Sequence, residues 1–196
     1  RRQRHMCIRD SFILPVLSHG TKDSVWYINY QEAILKKAYL IDKTSYIQKL
    51  ETIQNPVFLR PRRFGKSLFC SMLQYYYDIR EASRFEELFG TTWIGKSPTP
   101  SHNSFIVLKL DFSELSSSDT QNQLEQNFNH YCNCRLIGTA TLYSDYLPNM
   151  PDIRIDDPAS LNLSTWLGHV RASDAPGYVI IDEYDNFVKQ LINRHY

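Results

Sequence analysis

Two stretches of this sequence join a glycine, a lysine and a serine in the way phosphate chemistry uses: "RPRRFGKS", Arg60 to Ser67, and "GTTWIGKS", Gly90 to Ser97. In such a stretch the glycine lets backbone amides close around an anion. The lysine sets an ammonium against the terminal phosphates, and the hydroxyl reaches a magnesium ion. Further along, "VIIDEYD" (Val179 to Asp185) sets Asp182 beside Glu183. Two acids at a strand end can divide their work, the first holding a metal through water and the second polarising an attacking water.

The elements around each stretch decide between them. A phosphate-binding loop needs a buried strand to enter it and a helix that begins at its lysine, so that free amides and the positive end of the helix dipole face the anion. The stretch Gly90–Ser97 matches the pattern G-x-x-x-x-G-K-[ST] letter for letter, but its surroundings run in the wrong order. Ser83 and Glu86 form a capping-box pair that opens a helix before it, and Gly90 stands where a left-handed helix stop is expected. Pro98 and Pro100 then oppose a helix after it. The stretch Arg60–Ser67 breaks the pattern at Arg60 yet has the right order. Val57, Phe58 and Leu59 form an apolar run that predicts a buried strand. Leu68, Phe69, Met72, Leu73, Tyr76 and Ile79 then recur on one helical face. Gly65, Lys66 and Ser67 are therefore the expected phosphate and magnesium contacts, and Lys96 is not.

Tyr178 to Ile181, apolar, largely β-branched and bounded by Pro176 and Gly177, predicts a buried strand that ends at Asp182, and "SFIVLKLDF" (Ser104 to Phe112) predicts another sheet strand. Asp111, near the end of the latter, could face the same crevice as Asp182 or cap the turn that "SELSSS" begins, and the cap is the preferred expectation. Strands alternating with helices predict an α/β fold, a parallel sheet flanked by helices with ligand at the strand ends. Ser45 and Gln48 form a second capping-box pair, opening a helix with Tyr46, Ile47, Leu50 and Ile53 on one face.

The chain has 196 residues, 42% hydrophobic and 22% charged, with a formal net charge of +1. That balance suits a soluble globular protein and argues against coating nucleic acid by bulk charge. "FILPVL" (Phe12 to Leu17) is too short to span a bilayer and carries no convincing cleavage site, so a cytoplasmic protein is expected. "RRQRHM" reads as a basic tail outside the fold. Of the four cysteines, Cys132 and Cys134 sit with His130 in "HYCNC". No second Cys/His pair at finger-like spacing completes a zinc tetrahedron, and free thiols are the expected reading.

Taken together, "AYLIDKTSYIQKL" (Ala38 to Leu50), "FLRPRRFGKSLFCSMLQYYYD" (Phe58 to Asp78), "FEELFG" and "VIIDEYD" resemble the AAA-ATPase-like family of bacterial proteins. Its members carry a V-D-K-T segment, R-P-R-R-F-G-K-S and L-I-D-E-Y-D in that order. The resemblance covers roughly Tyr27 to Phe187 and implies a phosphate-loop NTPase fold, with residues 1–26 an unassigned extension and 27–196 the amino-terminal part of the ATPase domain. It implies ATP and Mg2+ as cofactors. Arg60, Pro61, Arg62, Arg63, Phe64, Gly65, Lys66, Ser67 and Leu68 would be the nucleotide-binding stretch. Ser67 and Asp182 would serve the metal, and Lys66 and Glu183 the hydrolysis. Asp42, Lys43 and Thr44 match the V-D-K-T segment and are expected to shape a helix entry. The stretch from Leu136 to Asp157 matches nothing in the family pattern. Members continue past the acidic strand, often into a nuclease-like domain of the PD-(D/E)xK type, and no nuclease activity is inferred from this chain. The sheet is therefore expected to be incomplete at its C-terminal side, and the chain to be part of a longer protein. A nucleic-acid or protein partner and an oligomer stay open. The alternative to an ATPase is a non-catalytic nucleotide- or nucleic-acid-binding module, in which Arg60, Arg62 and Arg63 would act with Tyr75, Tyr76 and Tyr77, or an inactive fragment.

Overall fold

The computed structural model describes residues 16–17, 24–25, 29–57, 65–115 and 120–184. They fall into two compact units, Arg1–Asn103 and Ser104–Tyr196. Helices accompany a parallel pair of strands, so the chain has α/β character.

The first unit opens with a short antiparallel pair, β1 (Val16–Leu17) and β2 (Ser24–Val25), with Val16 opposite Val25. Helices α1 (Tyr30–Leu35), α2 (Ser45–Leu50), α3 (Lys66–Tyr77), α4 (Phe85–Phe89) and α5 (Trp93–Lys96) follow. The apolar period of α3 does what its spacing predicts: Phe69, Met72, Leu73, Tyr76 and Tyr77 are buried, while Leu68 stays half-buried. The ring of Tyr76 meets Phe89 edge-on at 5.4 Å, and Phe89 stacks on Tyr30 at 5.1 Å. Buried hydroxyls are matched to acceptors, as burial requires. Tyr30 donates to the Leu88 carbonyl at 2.9 Å, and Glu51 Oε1 accepts from Tyr77 at 3.1 Å and from Thr99 at 2.8 Å.

Both predicted capping boxes fail, the first for a tertiary reason and the second for a local one. Helix α2 begins after Thr44, which makes no side-chain cap because its hydroxyl is engaged by α5. The chain before α4 is a 3₁₀ turn, Ile79–Arg84, capped by Asp78 rather than Ser83, and α4 itself has no side-chain cap. Gly90 is right-handed, with φ −54°, so the left-handed stop expected there does not form. The expected strand Val57–Leu59 lies mostly outside the described residues; Val57 has no regular structure.

In the second unit β3 (Ile106–Asp111) and β4 (Gly177–Asp182) pair in parallel, Ile106 opposite Gly177 and Asp111 opposite Asp182. Helices α6 (Gln121–Leu142) and α7 (Ala159–Ala172) lie between the two strands in sequence and supply the long crossover that parallel pairing demands. Ile106, Leu108, Leu110, Leu124, Leu136, Trp166, Val170 and Ile180 form the core. The loop that matched no pattern is tied down by two buried asparagines. Asn133 Nδ2 donates to the carbonyls of Ile155 and Asp157 at 2.9 and 2.7 Å. Asn162 Nδ2 donates to the Arg154 carbonyl at 2.8 Å and to Asn133 Oδ1 at 2.9 Å. The outward amides of β3 are capped from α6: Val107 N–H donates to the Tyr143 hydroxyl at 3.2 Å and Asp111 N–H to the Tyr131 hydroxyl at 2.7 Å. In strand β4 Ile180 and Asp182 are buried while Val179 and Ile181 are 43% and 49% exposed, so among the described residues one face is covered.

Candidate functional site

The helix that phosphate binding requires begins at Lys66. Gly65 caps it in the left-handed conformation, φ 72° and ψ 24°, which a residue with a Cβ adopts only at a cost of about 1–2 kcal/mol. A Cβ at Gly65 would meet nothing within 4 Å, so the need for glycine is conformational and not steric. Phe69 N–H donates to the Gly65 carbonyl at 3.0 Å, closing the first turn. No side chain caps this terminus and no acid occupies the first turn. The positive end of a twelve-residue helix is thus left without a carboxylate of its own. Lys66, Ser67 and Leu68 are half-buried on this first turn. Arg60, Pro61, Arg62, Arg63 and Phe64 lie outside the described residues.

The letter-perfect stretch Gly90–Ser97 has a different use. Its amides are already consumed by side chains. Trp93 N–H donates to Asp42 Oδ2 at 2.6 Å, Ile94 N–H to Thr44 Oγ1 at 3.0 Å, and Gly95 N–H to Thr92 Oγ1 at 3.2 Å. Gly95 is glycine because a Cβ there would lie 1.8 Å from the Phe89 carbonyl oxygen. Lys96 is exposed and ends α5, at the negative end of a helix and away from any anion-binding amides. Asp42 and Thr44 therefore do more than shape the entry to α2. Asp42 Oδ1 accepts from the Thr44 amide at 2.8 Å and its hydroxyl at 2.7 Å, orienting that hydroxyl toward α5.

Asp182 and Glu183 belong to the second unit. Asp182 ends β4 and is 3% exposed. Its Oδ1 accepts from the Glu183 amide at 2.9 Å, and its Oδ2, buried, has no hydrogen-bond partner. Burying an ionised oxygen without a donor is unfavourable, and a cation would relieve it, so the donor set fits a hard divalent metal. Glu183 is half-buried and left-handed, φ 49°, an uncommon state for a residue with a long side chain. Strain of this kind gathers at sites where a side chain must be aimed. Asp185 lies outside the described residues.

For Asp111 the sequence left two roles open, facing the ligand crevice or capping the following turn, with the cap preferred. Its Oδ1 does accept from Ser113 N–H at 3.0 Å, but the residue also stands in register with Asp182. The signal was present: two apolar runs each end in an aspartate, "IVLKLD" and "GYVIID". The tyrosines named for base stacking are differently placed. Tyr76 and Tyr77 are buried, and the half-buried Tyr75 holds its hydroxyl 2.7 Å from the Gln31 amide, so Tyr76 and Tyr77 offer no stacking face. Cys132 is buried and Cys134 exposed, with His130 Nε2 3.6 Å from the Cys134 sulfur. Among the described residues no group of three metal-ligating side chains forms, and no helix is long and apolar enough to cross a membrane.

A family described as "Predicted AAA-ATPase" (AAA-ATPase_like) matches residues 27–196. No curated protein and no solved structure matches the chain.

Proposed function

The chain belongs to the AAA-ATPase-like family, and from that premise we propose that it binds ATP with Mg2+ and hydrolyses it. The observation that carries the reading is the start of α3: a helix opening at Lys66 behind a left-handed glycine, with no side-chain cap and no acid in its first turn. Gly65 to Leu68 would present amides to the phosphates, together with Arg60, Pro61, Arg62, Arg63 and Phe64. Lys66 would place its ammonium on the terminal phosphate oxygens. Ser67 and Asp182 would hold the magnesium, which when bound draws charge from those oxygens. Glu183 would orient the attacking water and accept its proton. ATP, rather than another nucleoside triphosphate, is named on the family description.

The test is thermal unfolding with and without Mg-ATP. The expected result is a raised midpoint for wild type, Lys96→Ala and Glu183→Gln, no rise for Lys66→Ala, and loss of phosphate release in Glu183→Gln. Equal responses from the Lys66 and Lys96 variants would overturn the assignment of the loop.

A further inference from the structure

We propose that Asp111 and Asp182 together form a two-carboxylate seat for a divalent cation of the magnesium class, with Asp111 a metal-site residue in its own right. Each acid is the last residue of its strand, and the two are paired in the parallel register. Paired residues on adjacent strands share a face of the sheet, and such strands run roughly 4.7–4.9 Å apart. The two carboxylates are therefore held as neighbours by the ladder itself and not by a loop.

Two like charges at that spacing repel, and the repulsion grows where water is excluded. Among the described residues no lysine or arginine pairs with either acid. Lys109 lies two residues before Asp111 on the same strand and is opposite Ile180, and Arg135 pairs with Glu114. Both acids spend Oδ1 on a backbone amide, Asp111 on Ser113 and Asp182 on Glu183. The Oδ2 of Asp182 remains buried and without a donor. A cation is the partner that offsets both charges and meets that oxygen at once, and all-oxygen ligands select magnesium, manganese or calcium over softer metals.

The inference deepens the metal half of the ATPase reading, yet it requires no nucleotide, so the two can fail separately. The experiment is a Mn2+ titration of the nucleotide-free chain followed by electron paramagnetic resonance. Wild type, Lys66→Ala, Asp111→Asn and Asp182→Asn are compared, with folding checked by circular dichroism. Wild type and Lys66→Ala are expected to bind alike, and each asparagine variant to bind more weakly by about tenfold or more. Asp111→Asn keeps an acceptor for the Ser113 amide, so it carries the test even if Asp182→Asn does not fold. Binding by Asp111→Asn as tight as wild type would overturn the proposal, and so would a wild type that binds no Mn2+. Mn2+ binding lost in Asp111→Asn, in a protein that Mg-ATP does not stabilise, would uphold this site and sink the ATPase reading.

Discussion

A lysine's place on its helix decides what it can do. Lys66 opens α3, where the dipole is positive and amides lack carbonyl partners, and Lys96 closes α5, where the dipole is negative. That difference was legible, because prolines after Ser97 and the apolar period after Ser67 are both local signals. The reason for the false match was not legible. Gly95 answers to the carbonyl of Phe89, and the amide of Trp93 to Asp42, far back in the chain. Glu183 carries the sharpest prediction at this scale. Its left-handed backbone is costly for any residue with a Cβ, and glycine removes that cost. Glu183→Gly is expected to be more stable than Glu183→Ala by about 1 kcal/mol in urea unfolding, although both lack the carboxylate. Equal stability would mean that the left-handed turn is not kept.

Among the elements, helix α3 and strands β3 and β4, read from apolar patterns, are present, and the Asp111 turn cap forms, but the two capping boxes do not. The boxes at Ser45 and Ser83 are local patterns of about one turn's reach; a tertiary contact displaces the first and a 3₁₀ turn capped by Asp78 the second. Thr44, in particular, turns its hydroxyl to the Ile94 amide instead of to its own helix. The V-D-K-T match thereby gains a physical meaning, since Asp42 and Thr44 hold the start of α5 against the entry of α2. Asp42→Ala removes the acceptor for the Trp93 and Thr44 amides and for the Thr44 hydroxyl. A loss of about 1–2 kcal/mol is expected, measured by denaturant unfolding, the range typical of lost helix caps. Asp42→Asn, which keeps one oxygen acceptor, is expected to lose less than half as much. The continuous apolar run of β4 predicts a buried strand but does not say how many layers cover it. Val179 and Ile181 remain exposed.

Across the whole molecule, aromatic and thiol groups are buried in their neutral forms. Burial pushes the Cys132 thiol up from 9.0 to about 11. Burial likewise raises the phenols of Tyr30, Tyr76 and Tyr131 above their ordinary value. Above pH 9 the unfolded chain gives up the Cys132 proton that the folded chain keeps, so stability falls as pH rises from 9 toward 11. Urea midpoints across that range are expected to fall less steeply in Cys132→Ala, by up to about one proton in the slope. Lys66 and Asp182 could each be named as candidates from sequence because each begins or ends a strongly patterned element. The pairing of Asp111 with Asp182 could not, since register is a property of two strands and neither run specifies it alone.

The tyrosine hydroxyls that occupy the outward amides of β3 give this small sheet a direction. Within the β3–β4 pair, the described residues leave β4 paired on its β3 side alone. A further strand joining this pair, from whatever source, would therefore add beside β4 and not beside β3.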